Sequence, residues 1–87
     1  MPDWWHGKRV LVTGAGGFIG AHLGLALGQL AAHVYACDRA APPWPTWSAL
    51  GAGPATAGVI NVDHVVEVTR AVKEARPDVV INLAGVS

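Results

Sequence analysis

Apolar residues along this chain follow two different rhythms. Short unbroken runs, Val10-Leu11-Val12 and Val34-Tyr35-Ala36-Cys37, are bounded by polar residues and glycine and read as strands covered on both faces. Between them Phe18, Ile19, Leu23, Ala26, Leu27 and Leu30 recur at helical spacing. The pattern predicts a strand over residues 8–13, a helix over 18–30 and a strand over 33–38. A third short strand is expected over 59–62 and a fourth over 78–84. Between those two, Val65, Val68, Val72 and Ala75 mark one face of a helix from Asp63 to Arg76. Asp63 is placed to cap its start and Pro77 to end it. Residues 39–58 break the rhythm: Pro42, Pro43 and Pro45 forbid a regular helix there, leaving room for a short turn around Trp47 to Leu50.

Strand, helix, strand, loop, strand, helix, strand is an α/β pattern. With right-handed crossovers it gives a Rossmann-type parallel sheet in the order 3-2-1-4. The fourth strand would leave an open edge, so residues 1–87 are expected to be the N-terminal part of such a domain, truncated after strand four, with a substrate domain absent. Gly20, Gly24 and Gly28 share one side of the first helix, each costing about 1 kcal/mol of helix propensity against alanine. Their spacing predicts a side lying close to another backbone, the sheet. Trp4 and Trp5 are expected to pack outside the first strand or its neighbouring helix, the alternative being a partner-facing patch.

Composition narrows the function. Half of the 87 residues (52%) are hydrophobic and 14% charged, which argues against disorder. Six basic and six acidic side chains cancel, so no footprint for nucleic acid or an anionic membrane is present. The opening Met-Pro-Asp-Trp-Trp-His lacks a secretory pattern, and no apolar stretch approaches the ~20 residues of a membrane span. A cytoplasmic setting is expected. Cys37 has no disulfide partner and reads as a small buried thiol. No His, Cys or acid cluster has metal-ligand spacing, and His22 reads as a partly exposed helix residue.

The chemistry concentrates after strand one. Thr13-Gly14-Ala15-Gly16-Gly17-Phe18-Ile19-Gly20 is a glycine-rich turn between a buried strand and a helix, where unpaired N–H groups and a partial positive charge suit a diphosphate. Asp38 ends the next strand 18 positions after Gly20, close to the ~20 at which an acid grips an adenosine ribose. Strand, glycines, helix and acid together predict a dinucleotide site. No Gly-Lys-Ser/Thr follows the turn, which excludes an ATP-type loop. A carboxylate at Asp38 repels a 2′-phosphate and favours NAD over NADP, while Arg39 offers a phosphate partner that weakens the preference.

The glycine turn resembles the Thr-Gly-x-x-Gly-x-x-Gly signature of extended short-chain dehydrogenases/reductases, above all the nucleotide-sugar epimerases and dehydratases. The 24-residue step from Gly14 to Asp38 and the ending Pro77-Asp78-Val79-Val80-Ile81-Asn82-Leu83-Ala84-Gly85 are similar to that family, over roughly residues 7–87. The resemblance implies that Gly14, Gly17, Phe18 and Ile19 hold the diphosphate and that Asp38 and Arg39 hold the adenosine ribose. Leu83, Ala84 and Gly85 would line the other half of NAD. The family usually places an Asp and an aliphatic residue at the end of strand three to bond adenine. The aligned pair here is Asn61-Val62, with Asp63 the competing candidate. Within the family, Trp5-His6-Gly7-Lys8-Arg9 and Ala41-Pro42-Pro43-Trp44-Pro45-Thr46 resemble the CDP-glucose 4,6-dehydratase branch. That branch usually carries His-Thr and a Lys in the turn, where this chain has Ala15-Gly16 and Ile19.

Family members work through a Tyr-x-x-x-Lys pair. The one tyrosine here is Tyr35, in strand two, and four residues on stands Arg39, so no catalytic residue is assigned. Ser87 reads as a terminal loop residue. The expected function is therefore the NAD(P)-binding portion of a nucleotide-sugar epimerase or dehydratase, with the sugar nucleotide a substrate only of a complete chain, itself expected to form a homodimer. The alternatives are a non-catalytic dinucleotide-binding or interaction module, suggested by the open edge and four tryptophans, and an NADP-dependent reductase of the same superfamily.

Overall fold

The structure, a computed structural model, describes residues 2–54 and 56–84. After a 3-10 turn at Pro2–Trp5 come β1 (Arg9–Thr13), α1 (Phe18–Gln29), β2 (His33–Asp38), α2 (Pro45–Ala49), β3 (Thr56–Val59), α3 (Val65–Ala75) and β4 (Val79–Asn82). The four strands form one parallel sheet in the order β3-β2-β1-β4, as the alternation of elements predicts. β1 pairs with β2 in the register Val10↔Val34 and Val12↔Ala36, and with β4 in the register Val10↔Val79 and Val12↔Ile81.

The side-chain period of two divides the apolar run of β1 between two cores. Val10 and Val12 face one side, with Val34, Ala36, Leu27 of α1 and the rings of Trp44 and Trp47. Leu11 faces the other, with Cys37, Ile60 and, from α3, Ala71 and Ala75. All three β1 residues are fully buried, each contributing about 1.5–3 kcal/mol of burial free energy. β1 is thus the central plank of the sheet.

Several expectations shift on contact with the structure. The third strand lies at Thr56–Val59, ahead of the expected 59–62. Its place is set by pairing with β2, from Tyr35↔Thr56 to Asp38↔Val59, and the small residues Ala57 and Gly58 give no hydrophobic signal. Ile60, inside the expected strand, extends the ladder by one bond to the Asp38 carbonyl and then buries its side chain in the α3-side core. The fourth strand and the first helix agree with expectation in their centres and are trimmed at their ends.

Asp63 does not cap α3. The helix starts at Val65 with His64 as N-cap and no side-chain cap bond, because Asp63 is drawn into a turn in which its N–H donates to Asn61 Oδ1 at 3.0 Å. Nor do the three helix glycines all meet the sheet. A Cβ at Gly20 would strike the backbone of Gly14 and Ala15, one at Gly24 would strike the Trp47 ring, and one at Gly28 would meet open space. Phe18 and Ile19, counted in the apolar face of the helix, are 71% and 56% exposed; the buried side of α1 is Gly20, Ala21, Gly24 and Leu27. The segment read as irregular contains α2, with Pro45 in its first turn, where a missing N–H costs nothing. Trp5 packs on the α1-side core, whereas Trp4 stays 53% exposed, edge-on to Trp5 and beneath the Lys8 ammonium.

Candidate functional site

In a parallel sheet the C-terminal ends of all strands share one rim. The α1 connection from β1 to β2 and the α3 connection from β3 to β4 pack on opposite faces of the sheet, and the strand order reverses at β1, so a crevice opens beyond its end. A cavity of about 390 Å3 lies there. Its floor is Thr13, Gly14 and Gly17; one wall is Cys37, Asp38 and Arg39, continued by Ile60, Asn61, Val62 and Asp63; the opposite wall is Leu83 and Ala84.

The floor depends on glycine. Gly14 sits at φ +70, and a Cβ on it would lie 2.7 Å from the Ala84 nitrogen and the Leu83 carbonyl carbon. β1 and the exit of β4 therefore touch backbone to backbone. Asn82 locks that contact: its Oδ1 accepts the Thr13 hydroxyl at 2.5 Å and the Ala84 N–H at 3.1 Å, while the Leu83 N–H donates to the Thr13 carbonyl. Gly17, the N-cap of α1, supplies no side-chain cap, and the first turn holds no acid. The leading N–H groups of a twelve-residue helix are thus left for an outside acceptor.

Asp38 turns back toward this floor. Its Oδ2 accepts the Gly16 N–H at 2.9 Å and its Oδ1 the Arg39 N–H at 2.7 Å, so the carboxylate stands between the glycine turn and the cavity wall with lone pairs left over. Its neighbour Cys37 is fully buried; desolvation first, then the nearby Glu74 and Asp38 charges, push its thiol up to about 11. It is a wall atom and not a nucleophile at neutral pH.

The stretch of wall from Asn61 to Asp63 is a short turn held from behind. Glu67, in the first turn of α3, accepts the Asn61 N–H at 3.0 Å through Oε1 and meets His64 Nδ1 through Oε2 at 2.5 Å. The His64 contact, then the Asn61 N–H, hold the Glu67 carboxyl below the usual carboxylate range. Asn61 Oδ1 is taken by the Asp63 N–H, and the Asp63 carboxylate stands exposed at the cavity edge.

Of the residues singled out from the sequence, Gly14, Gly17, Asp38, Arg39, Asn61, Val62, Leu83 and Ala84 line one cavity. Phe18 and Ile19 do not: their side chains point to solvent, and only their backbone N–H groups belong to the helix start. Gly85 and Ser87 lie outside the described residues. Sequence reasoning passed over Thr13, Ile60 and Asn82. The Thr13–Asn82 lock pairs residues 69 apart, which no local pattern signals. It also passed over Trp44 and Trp47, which back the glycine turn from outside. Tyr35 sits away from the cavity, donating to Glu74 Oε2 at 3.1 Å. Its hydroxyl is pushed above its ordinary value by burial and by Glu74. Among the described residues no helix is long and apolar enough to cross a membrane.

Solved structures share this fold. The structure of the epimerase Mth375 from Methanothermobacter thermautotrophicus superposes with a TM-score of 0.76 at 27% identity, over 95% of this chain and 24% of that one. A short chain dehydrogenase from Leptospira borgpetersenii with bound NAD+ gives 0.73 at 24% identity, over 95% of this chain and 33% of that one. The NADH-dependent reductase A1-R', complexed with NAD, gives 0.72 at 24%, over 94% and 38%. The chain thus spans between about a quarter and two fifths of the length of these proteins. No curated relative matches it. The NAD dependent epimerase/dehydratase family matches residues 10–87, from the first buried residue of β1 through the cavity wall at Leu83 and Ala84. With glycine floor, Asp38 and strand order all lying inside that match, the chain belongs to the NAD dependent epimerase/dehydratase family.

Proposed function

We propose that this chain is the dinucleotide-binding portion of a nucleotide-sugar epimerase or dehydratase, with NAD as its cofactor. One observation carries the reading: the uncapped start of α1 and the Asp38 carboxylate border the same cavity, joined through Gly16. Unpaired N–H groups beside a carboxylate one strand away match a diphosphate followed by a ribose. Gly14 and Gly17 would floor the diphosphate, with the N–H groups of Phe18 and Ile19 donating to it. Asp38 would take the adenosine ribose hydroxyls, and Asn61, Val62 or Asp63 would face adenine. Leu83, Ala84 and Gly85 would line the nicotinamide half. When bound, the nicotinamide supplies a hydride acceptor that returns the hydride to the sugar ring. The residues of this chain bind and orient; no acid/base pair for the proton is assigned among them, and the sugar substrate is a property of the complete enzyme.

A second reading, an NADP-dependent reductase of the same superfamily, is favoured by Arg39 at the cavity wall, where a guanidinium suits a 2′-phosphate. Isothermal titration with NAD+ and NADP+ separates the two. NAD+ binding at least tenfold tighter supports the first, preference for NADP+ the second, and absence of binding by the folded protein to either removes both.

A further inference from the structure

We propose that Trp47, which lies outside the cavity, is a positioning residue that sets the pitch of the glycine turn for a diphosphate; this rests on the dinucleotide reading above. The peptide unit between Ala15 and Gly16 is held at both polar atoms. Its carbonyl accepts the Trp47 indole N–H at 2.8 Å, and its N–H donates to Asp38 Oδ2 at 2.9 Å. The Ala15 N–H is held as well, by the Cys37 carbonyl at 2.9 Å. A peptide gripped from two opposite sides cannot rotate about its flanking dihedrals without breaking a bond, so the Gly17 N–H is turned in to the Gly14 carbonyl at 3.4 Å and the N–H groups that follow, at the start of α1, point in a fixed direction.

The tryptophan is itself locked. It is 3% exposed and its hydrogen bond is buried, so the indole N–H has no water to fall back on. The ring lies against Gly24, where a Cβ would overlap it. This gives a reason for a glycine in the middle of α1 that closeness to the sheet does not. Trp44 closes the other side: a Cβ at Gly16 would come within 2.9 Å of its ring and of Asp38 Oδ2, and its own N–H is tied to the Ala40 carbonyl. The proline-rich segment after β2 thus acts as a brace on the outside of the turn. Asp38, the other half of the grip, reaches the same peptide from the cavity side.

The test is Trp47→Phe, which keeps an aromatic ring and removes the N–H, with Gly24→Ala, which keeps the N–H and displaces the ring. ADP-ribose carries the diphosphate and adenosine does not; binding of each is measured by calorimetry and by ligand-observed NMR, with circular dichroism as the check on fold. Losing one aligned hydrogen bond behind the turn is expected to weaken ADP-ribose about three- to tenfold in either variant. Adenosine affinity should stay within about twofold, since its contacts lie on the Asp38 and Asn61 side. Equal weakening of both ligands would mean a general structural role and would overturn the proposal, as would ADP-ribose binding unchanged in Trp47→Phe. If Trp47→Phe fails to fold, Gly24→Ala decides by the same comparison, unchanged ADP-ribose affinity again overturning it. Wild-type protein that binds neither NAD+ nor ADP-ribose would instead refute the dinucleotide reading.

Discussion

Replacing Asp38 by alanine should lower stability and cofactor affinity by separable amounts. The side chain accepts three backbone N–H groups, from Gly16 at 2.9 Å, from Arg39 at 2.7 Å and, at a long 3.5 Å, from Ala40. A hydrogen bond to a charged group is worth about 1.5–3 kcal/mol net, and the value falls toward zero where water can replace it. The Arg39 and Ala40 N–H groups are exposed and will find water; the Gly16 N–H is part-buried, close under Trp44, and will not do so fully. The expected loss is therefore about 2 kcal/mol, almost all from Gly16. For a domain of this size that lowers the melting temperature by roughly 8–15 °C. On the function proposed above, binding carries a second loss, because two ribose hydroxyls would lose their acceptor: NAD+ should bind about 10- to 100-fold more weakly. NADP+ should lose little or gain, since removing the carboxylate relieves its repulsion of a 2′-phosphate. Asp38→Asn separates the two effects, keeping one acceptor for the Gly16 N–H, and hence most of the stability, while removing the charge. Thermal melts by circular dichroism give the first quantity and calorimetric titration the second. An Asp38→Ala protein that melts as wild type, or one whose NAD+ to NADP+ affinity ratio is unchanged, refutes the argument.

Other outcomes follow from the same geometry. Ala31 holds φ +62 just past α1, with its N–H on the Gly28 carbonyl and the Ala32 N–H on the Leu27 carbonyl, a helix ending that suits glycine. Relief of the ~1–2 kcal/mol left-handed penalty outweighs the added chain entropy, so Ala31→Gly should gain about 0.5–1 kcal/mol, read as a higher urea midpoint. Gly14→Ala adds left-handed strain to a collision with the Leu83–Ala84 backbone and should cost about 3 kcal/mol or more, seen as a melting temperature lowered by over about 10 °C. Cys37 keeps its proton up to about pH 11 when folded, against an ordinary value near 9. The native state therefore binds more protons than the unfolded chain between those values, and stability should fall as pH rises from about 9 to 11. Cys37→Ala should flatten that part of the pH–stability curve, and the native thiol should resist iodoacetamide at pH 8 until denaturant is added.

Strands β1 and β2 were legible because both faces of each are covered and their residues spell it out as continuous apolar runs. The turn from Gly14 to Gly17 and the acid at Asp38 were legible because one backbone geometry and one charge satisfy the same neighbourhood. β3 was not, since Thr56, Ala57 and Gly58 owe their place to hydrogen bonds with β2 and bury little of their own. Asp63 misled because an N-cap is a local preference, and the Asn61 side chain competed for the same stretch of backbone. The exposure of Phe18 and Ile19 was hidden for a related reason: helical spacing identifies a face without saying what fills the space opposite, and here Trp47 fills it.

All the cavity residues sit at one end of the sheet, while the bends at Gly7, Ala31 and Arg76 lie at the other. The two ends can therefore diverge at different speeds. The far end offers attachment points for a dye, a tag or an inserted peptide that would leave the cavity untouched, whereas at the near end any lengthening between Asp38 and Trp47 would unseat the prop behind the turn.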